Sequence, residues 1–269
     1  MDIIQAIILG LVQGITEFIP VSSSGHLVLV PWLLGWESPC LVFDTVVHLG
    51  TLVAVLAYFW RDWLGLVTAW LQGLVRWDWR DPQARLMWLI VLGSIPAVVI
   101  GCLLEGFFES LFGKPIGVSL FLLVTAGLLV LSERLGAQTR EATDLRWTGA
   151  LTIGLAQAAA IAPGISRSGA TLAAGLLRGL RRTDAARFSF LLATPVILGA
   201  GLVQLVDLFS SPDPLIQVPG LLAGFLAAAV SGYLCIWGLL RYLQRGKLYP
   251  FAIYCACAGL LGFLVAWLR

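Results

Sequence analysis

Three ionisable side chains, Glu17, His26 and Arg167, lie in two stretches otherwise built from apolar residues, glycine, proline, a glutamine and hydroxyls. The first reads Gln13-Gly14-Ile15-Thr16-Glu17-Phe18-Ile19-Pro20-Val21-Ser22-Ser23-Ser24-Gly25-His26 and the second Pro163-Gly164-Ile165-Ser166-Arg167-Ser168-Gly169-Ala170-Thr171. Arg167 offers a planar fork of donors that suits two phosphate oxygens at once. The residues around it, ending Ser168-Gly169-Ala170-Thr171, open a helix whose first N–H groups and positive dipole end favour an anion. The alternative for Arg167 is an ion pair with Glu17 that ties the two stretches together. Glu17 follows Gln13 by four residues, so both project from one helix face. A carboxylate beside a phosphate is compatible with a divalent cation, because Mg²⁺ is commonly held by one or two carboxylates plus substrate phosphates. Glu17, with Gln13 beside it, is therefore the candidate metal ligand, and a simple counter-ion to Arg167 is its other reading. His26 can act as acid or base near neutral pH, and a serine just upstream could be its nucleophile. Thr16, Ser22, Ser23, Ser24, Ser166, Ser168 and Thr171 add hydroxyls, so the set is suited to handling phosphate. His48, in an uninterrupted apolar stretch, reads as structural, and Asp44 and Asp207 as solvated residues near span ends.

These groups need a scaffold, and composition says which kind. Of the 269 residues, 59% are hydrophobic and 12% charged, against roughly 45–50% and 25% in a soluble domain. Together with a mean hydropathy of +0.92, this requires lipid as solvent and excludes soluble enzymes, nucleic-acid binders and disordered scaffolds. Five cysteines without ligand spacing read as core residues, and no cleavable signal peptide is expected. Six stretches have the length of a membrane span, near 42–60, 86–104, 116–135, 187–207, 217–241 and 250–268. Two more regions, near 3–35 and 147–180, are broken midway by the motifs above. Broken backbone at membrane depth survives only where protein or a wet cavity satisfies it, which makes both breaks candidate functional loops. The expected fold is an all-α polytopic membrane protein, with six transmembrane helices plus two re-entrant helical hairpins in an inverted-topology repeat. It forms a single integral membrane domain over 1–269, with internal repeats of about 1–135 and 147–269.

Charge placement fits that layout. Of the 17 Lys and Arg residues, all but Lys114, Arg167 and Arg269 fall in segments that this topology places on one face, which the positive-inside rule marks as cytoplasmic. Both termini then lie on the opposite side. A repeat at an offset of 144 pairs Gly10, Leu11, Gln13, Ser22, Ser24, Gly25 and Gly35 with Gly154, Leu155, Gln157, Ser166, Ser168, Gly169 and Gly179. Three spans separate the two hairpins, so the second copy is inverted, an architecture that puts its site near the midplane where the breaks meet.

On both motifs and on Pro250-Phe251-Ala252-Ile253-Tyr254, the chain resembles, over essentially its whole length, the undecaprenyl-diphosphate phosphatase family of the bacitracin-resistance type. The resemblance implies hydrolysis of the terminal phosphate of a C55 polyprenyl diphosphate, which regenerates the lipid carrier of cell-wall synthesis. It implies a divalent cation, Mg²⁺ or Ca²⁺, and a site facing the outer side of the bacterial inner membrane. Carried over, the family's functional residues are Glu17, Ser23, His26, Ser166, Arg167 and Thr171, with Ser22, Ser24, Ser168 and Gly169 completing the phosphate-binding set. The chain departs from the family's two-carboxylate form at Gln13. Partners implied are the polyprenyl diphosphate and membrane lipids, with a homodimer left open and no nucleic acid. Ser23 activated by His26 is the preferred nucleophile, with direct attack by water as the second route. The rival reading is an inverted-repeat transporter or polyprenyl-phosphate flippase. The other membrane lipid phosphatase superfamily, with its K-x6-R-P element, is not matched.

Overall fold

The structure is a computed structural model that describes residues 1–76, 80–111, 114–209 and 218–268. Its helices are α1 (Ile3–Phe18), α2 (Ser23–Leu34), α3 (Leu41–Tyr58), α4 (Trp60–Arg76), α5 (Pro82–Leu103), α6 (Glu105–Glu109), α7 (Pro115–Leu135), α8 (Trp147–Ala159), α9 (Arg167–Leu177), α10 (Arg182–Phe209), α11 (Val218–Leu243) and α12 (Tyr249–Leu268). Among the described residues the only β-type pairing is an isolated bridge between Arg140 and Leu180. Six helices, α3, α5, α7, α10, α11 and α12, are long and apolar enough to cross a membrane, so the chain is a multi-pass helical membrane protein. They coincide with the six stretches expected from the sequence. At 1.5 Å per residue, α9 extends only about 16 Å and α2 about 18 Å, well short of a hydrocarbon core of roughly 30 Å.

Lipid supplies no hydrophobic drive between helices, so close backbone packing at small residues has to hold them. Gly10 of α1 lies against the Gly224 carbonyl of α11, and a Cβ there would overlap it. Gly154 of α8 meets the Gly93 carbonyl of α5 in the same way. α9 is enclosed by α7, α8 and α10, and every residue from Ser168 to Leu176 is buried. α3 packs on α10 and α11, and α7 on α12. At the basic end, Glu133 of α7 pairs with Arg182 at the start of α10. It also accepts the Leu248 N–H at 3.2 Å, so a single carboxylate ties three segments together.

Two elements differ from expectation. Residues 61–85 fall on the basic face between spans with no helix assigned, and they contain all but the first residue of the 17-residue helix α4, packed against α5 and tied to α10 by Asp62–Arg187 at 2.5 Å. Its apolar residues lie on one face and only Arg61, Asp62 and Arg76 are charged, so it forms an amphipathic helix with one polar side. Asp44 is not at a solvated end but in the first turn of α3, where helix-end N–H groups favour a carboxylate, and its Oδ1 is buried without a hydrogen-bond partner. The side chain of Asp207 lies outside the described residues.

The glycine crossings generate a test. Gly154→Val should cost about 1–3 kcal/mol or more by overpacking, read as a lower melting temperature in detergent. Gly127→Val, at a position with open space, should be tolerated. Equal melting of the two variants would contradict the packing described.

Candidate active site at the two helix breaks

α1 ends at Phe18 because Ile19 precedes Pro20, which disfavours helical backbone before it; Ile19 is extended, with ψ 138°. The chain then turns through Ser22 at φ 73°, a left-handed conformation rare for a side-chain-bearing residue. Ser22 Oγ accepts the Gly25 N–H at 3.2 Å and so caps α2. The second break repeats the device: Ser166 Oγ accepts the Gly169 N–H at 3.0 Å and caps α9. Ser22 and Ser24 hydroxyls lie 3.3 Å apart, Ser166 and Ser168 hydroxyls 3.2 Å apart. Gly35 and Gly179, which follow α2 and α9, both have positive φ. The local roles thus recur at the offset of 144 seen in the sequence.

The two breaks touch. Ser168 Oγ donates to the Ile19 carbonyl at 3.1 Å. A Cβ added to Gly25 would lie 3.3 Å from Gly164 Cα, so a side chain there would push the loops apart. Thr125 of α7 accepts the Ser166 N–H at 3.1 Å and donates to the Gly164 carbonyl at 3.2 Å, bracing the second loop against a span.

Glu17 is the hub. Its carboxylate forms an ion pair with Arg167, accepts Ser23 Oγ–H at 2.5 Å and accepts Gln13 Nε2–H at 3.0 Å. The Glu17 side chain is 4% exposed and that of Arg167 22%. A charge buried in this way is costly unless paired and hydrogen-bonded, and these partners meet that requirement. Glu17 and Arg167 thus form the ion pair that joins the breaks, and it places a guanidinium and a serine at one carboxylate.

His26 makes a different bond from the one anticipated. Its Nδ1 donates to the Ser22 carbonyl at 2.7 Å, and Nε2 accepts the hydroxyl of Tyr254 at 2.7 Å; the rings stack with centroids 5.6 Å apart. Both nitrogens are thus engaged away from Ser23, whose hydroxyl goes to Glu17 because the first turn of α2 aims it back at α1. Thr171 Oγ1 donates to the Arg167 carbonyl at 2.7 Å and meets Ser189 Oγ at 2.5 Å, so it braces α9 against α10. Thr16 donates to the Val12 carbonyl at 2.6 Å. Three neighbours were not anticipated as site residues. Thr125 and Tyr254 sit in distant spans, and His48, expected to lack chemical neighbours, has Nε2 3.9 Å from Glu17 Oε2. Nothing local in the sequence announces such contacts, since they arise only when α3, α7 and α12 pack around the breaks.

A divalent cation at this place would need oxygen ligands. Among the described residues, no group of three or more His, Cys, Asp or Glu could hold a metal, so there is no protein cage. Glu17 is nevertheless accompanied by Gln13 Oε1, which is buried and without a partner. That is a fit for a cation drawing most of its ligands from a bound diphosphate. Gln157, the counterpart of Gln13, has both amide atoms buried without partners. Its chain neighbour four residues on is Ile161, with no carboxylate to receive it.

Fold and site together define a polytopic helical membrane protein in which a buried carboxylate gathers a half-buried arginine and serine between two capped helix breaks. The chain belongs to the family described as Bacitracin resistance protein BacA, whose profile matches residues 6–261. It is 47% identical over 269 residues to a protein of Desulforudis audaxviator named undecaprenyl-diphosphatase, covering 100% of both chains. Relatives with the same name in Moorella thermoacetica and Methanosphaera stadtmanae are 45% and 44% identical, covering 100% and 99% of each chain.

The His26 geometry predicts its tautomer. With Nδ1 facing a carbonyl, which can only accept, the neutral ring must carry its proton on Nδ1. ¹⁵N spectra of histidine-labelled protein should show this form, and Tyr254→Phe should shift the Nε2 resonance by removing its donor. An Nε2-protonated ring in the wild type would contradict the assignment.

Proposed function

We infer that this chain hydrolyses undecaprenyl diphosphate to undecaprenyl phosphate and inorganic phosphate, recycling the lipid carrier for cell-wall synthesis and so contributing to bacitracin resistance. The observation that carries this reading is the convergence of Arg167 and Ser23 on the Glu17 carboxylate. Membership of the family and the shared name of its full-length relatives agree with it.

The chemistry follows from the contacts. An entering diphosphate draws the Arg167 fork from Glu17 onto the non-bridging oxygens of its distal phosphate, where charge grows in the transition state. Glu17, relieved of its cationic partner, takes the proton of Ser23, whose oxygen forms a bond to the distal phosphorus while the bridging P–O bond breaks. Undecaprenyl phosphate leaves, and water attacking the phosphoserine releases inorganic phosphate and restores Ser23. This assigns Glu17 the role of base and makes His26 a ring held by Ser22 and Tyr254 at the first loop. Ser22, Ser24, Ser166 and Ser168, with the first N–H groups of α9 around Gly169, form the polar rim for the phosphates. A divalent cation, Mg²⁺ or Ca²⁺, would be held by Glu17 and Gln13 Oε1 together with the substrate and would supply charge neutralisation.

The architecture we propose for this activity is a pair of re-entrant hairpins, α1–α2 and α8–α9, in repeats of inverted topology within one domain. It is supported by the short length of α2 and α9, by the recurring caps and by the matched glycine crossings. The basic face is cytoplasmic in this reading, the termini are on the outer side of the inner membrane, and the site is reached from there.

Phosphate release from undecaprenyl diphosphate in detergent micelles tests the reading. Arg167→Lys keeps the charge but removes the fork, and kcat/KM should fall about 100-fold or more, the scale seen when a transition-state donor is lost. Near-normal turnover would remove Arg167 from its role. Ser23→Ala should abolish covalent labelling by distally ³²P-labelled substrate, and a wild type that never labels while turning over would favour direct attack by water.

A further inference from the structure

Arg85, Trp88, Leu89 and Leu92 of α5, with Arg146 and Trp147 at the start of α8, line a cavity of about 370 Å³. It lies at the opposite end of α8 from the second break, about 20 Å away along a 13-residue helix, and is therefore separate from the site above. One Arg85 Nη–H donates to the Leu145 carbonyl at 2.9 Å, which fixes that side chain at the rim. Among the described residues, Arg146 makes no salt bridge and no carboxylate lines the cavity.

The fold makes a related notch elsewhere, and the contrast is informative. Met1, Asp2, Ile3 and Ile4 at the start of α1, with Pro219, Gly220 and Leu221 of α11, line a second cavity. There the helix end is satisfied from within, because Asp2 accepts the Gln5 N–H at 2.7 Å and the Gln5 side chain returns the bond to the Asp2 N–H at 3.2 Å. The residue 144 positions later is Arg146. It occupies the same cap position of α8, which has no side-chain acceptor for its first N–H groups. Equivalent geometry thus carries an anion in one half, and two cations around an uncapped helix start in the other.

We propose that the Arg85–Arg146 cavity binds the phosphate headgroup of an anionic lipid. The guanidinium forks match phosphate oxygens, and basic pockets between transmembrane helices are a recognised setting for such headgroups. Trp88 and Trp147, 40% and 63% exposed, have the amphipathic rings that settle at the headgroup level of a bilayer. The acyl or prenyl chain then runs along the apolar flank of α5, past Leu89 and Leu92. The shared chemistry is a phosphate-headed lipid, supplied either by a bilayer phospholipid or by a polyprenyl monophosphate.

Native mass spectrometry of the full chain, released from micelles containing phosphatidylglycerol, phosphatidylcholine or undecaprenyl phosphate, tests this. Wild-type protein should retain a phosphate-headed anionic lipid in preference to phosphatidylcholine. Arg146→Gln should weaken that retention about fivefold and the Arg85→Gln/Arg146→Gln pair about 25-fold. Because Arg146 makes no salt bridge, its single variant should keep the wild-type melting temperature and decides the matter if the pair unfolds. Displacement of phosphatidylglycerol by undecaprenyl phosphate would name the polyprenyl lipid as the source, and retention of phosphatidylglycerol against it would name the bilayer. Both outcomes support the site. Equal retention by Arg146→Gln and wild type, or equal retention of phosphatidylcholine, would overturn it.

Discussion

The ion pair between Glu17 and Arg167 is the contact on which the arrangement of both breaks depends. Charged groups at membrane depth are costly and persist only when paired or functional. Each partner here sits beside a place where the helix stops, Glu17 one residue before the end of α1 and Arg167 at the first residue of α9. The breaks must therefore be brought face to face, and the small residues and serine caps at both loops accomplish that. Removing Arg167 leaves the buried Glu17 carboxylate without its guanidinium partner, a change that typically costs about 3–5 kcal/mol. In the proposed reaction a diphosphate would give Arg167 a new set of oxygens, and Glu17 would lose its charge by taking the Ser23 proton.

The two halves use common devices and then diverge where the chemistry needs asymmetry. Ser22 and Ser166 cap equivalent helices, and Gly10 and Gly154 allow equivalent crossings. Yet Glu17 is replaced by Ile161, so Gln13 has a carboxylate to bond while Gln157 has none. Asp2 is replaced by Arg146, so one helix start is capped by its own side chain and the other faces two arginines. The shared framework fixes where groups stand, and these substitutions give the two halves different charges at equivalent places.

Much of this was legible in the sequence because lipid imposes strict rules. Spans are long and apolar, which is why the six stretches correspond to α3, α5, α7, α10, α11 and α12 within a few residues. The breaks were marked by proline, glycine and serine, and their ionisable residues had to meet something. What stayed hidden was set by tertiary packing. Whether Ser23 faces His26 or Glu17 depends on how the first turn of α2 meets α1, and both choices satisfy the same motif. His48, Thr125 and Tyr254 reach the site from three distant spans, and although Tyr254 belongs to a stretch that carries the resemblance, nothing in that stretch says which break it meets. α4 leaves no span signal in the sequence because its apolar residues share one side of the helix with a polar face opposite.

The most direct measurement is a double-mutant cycle on the central pair, comparing the unfolding free energies in detergent of wild type, Glu17→Gln, Arg167→Gln and the double variant. Contacting charges should couple, so the double variant should be more stable than the sum of the two single losses by about 1–3 kcal/mol. Additive losses, with a coupling below about 0.5 kcal/mol, would mean that the two breaks are not joined through Glu17 and Arg167, and the account of the site would fail with them.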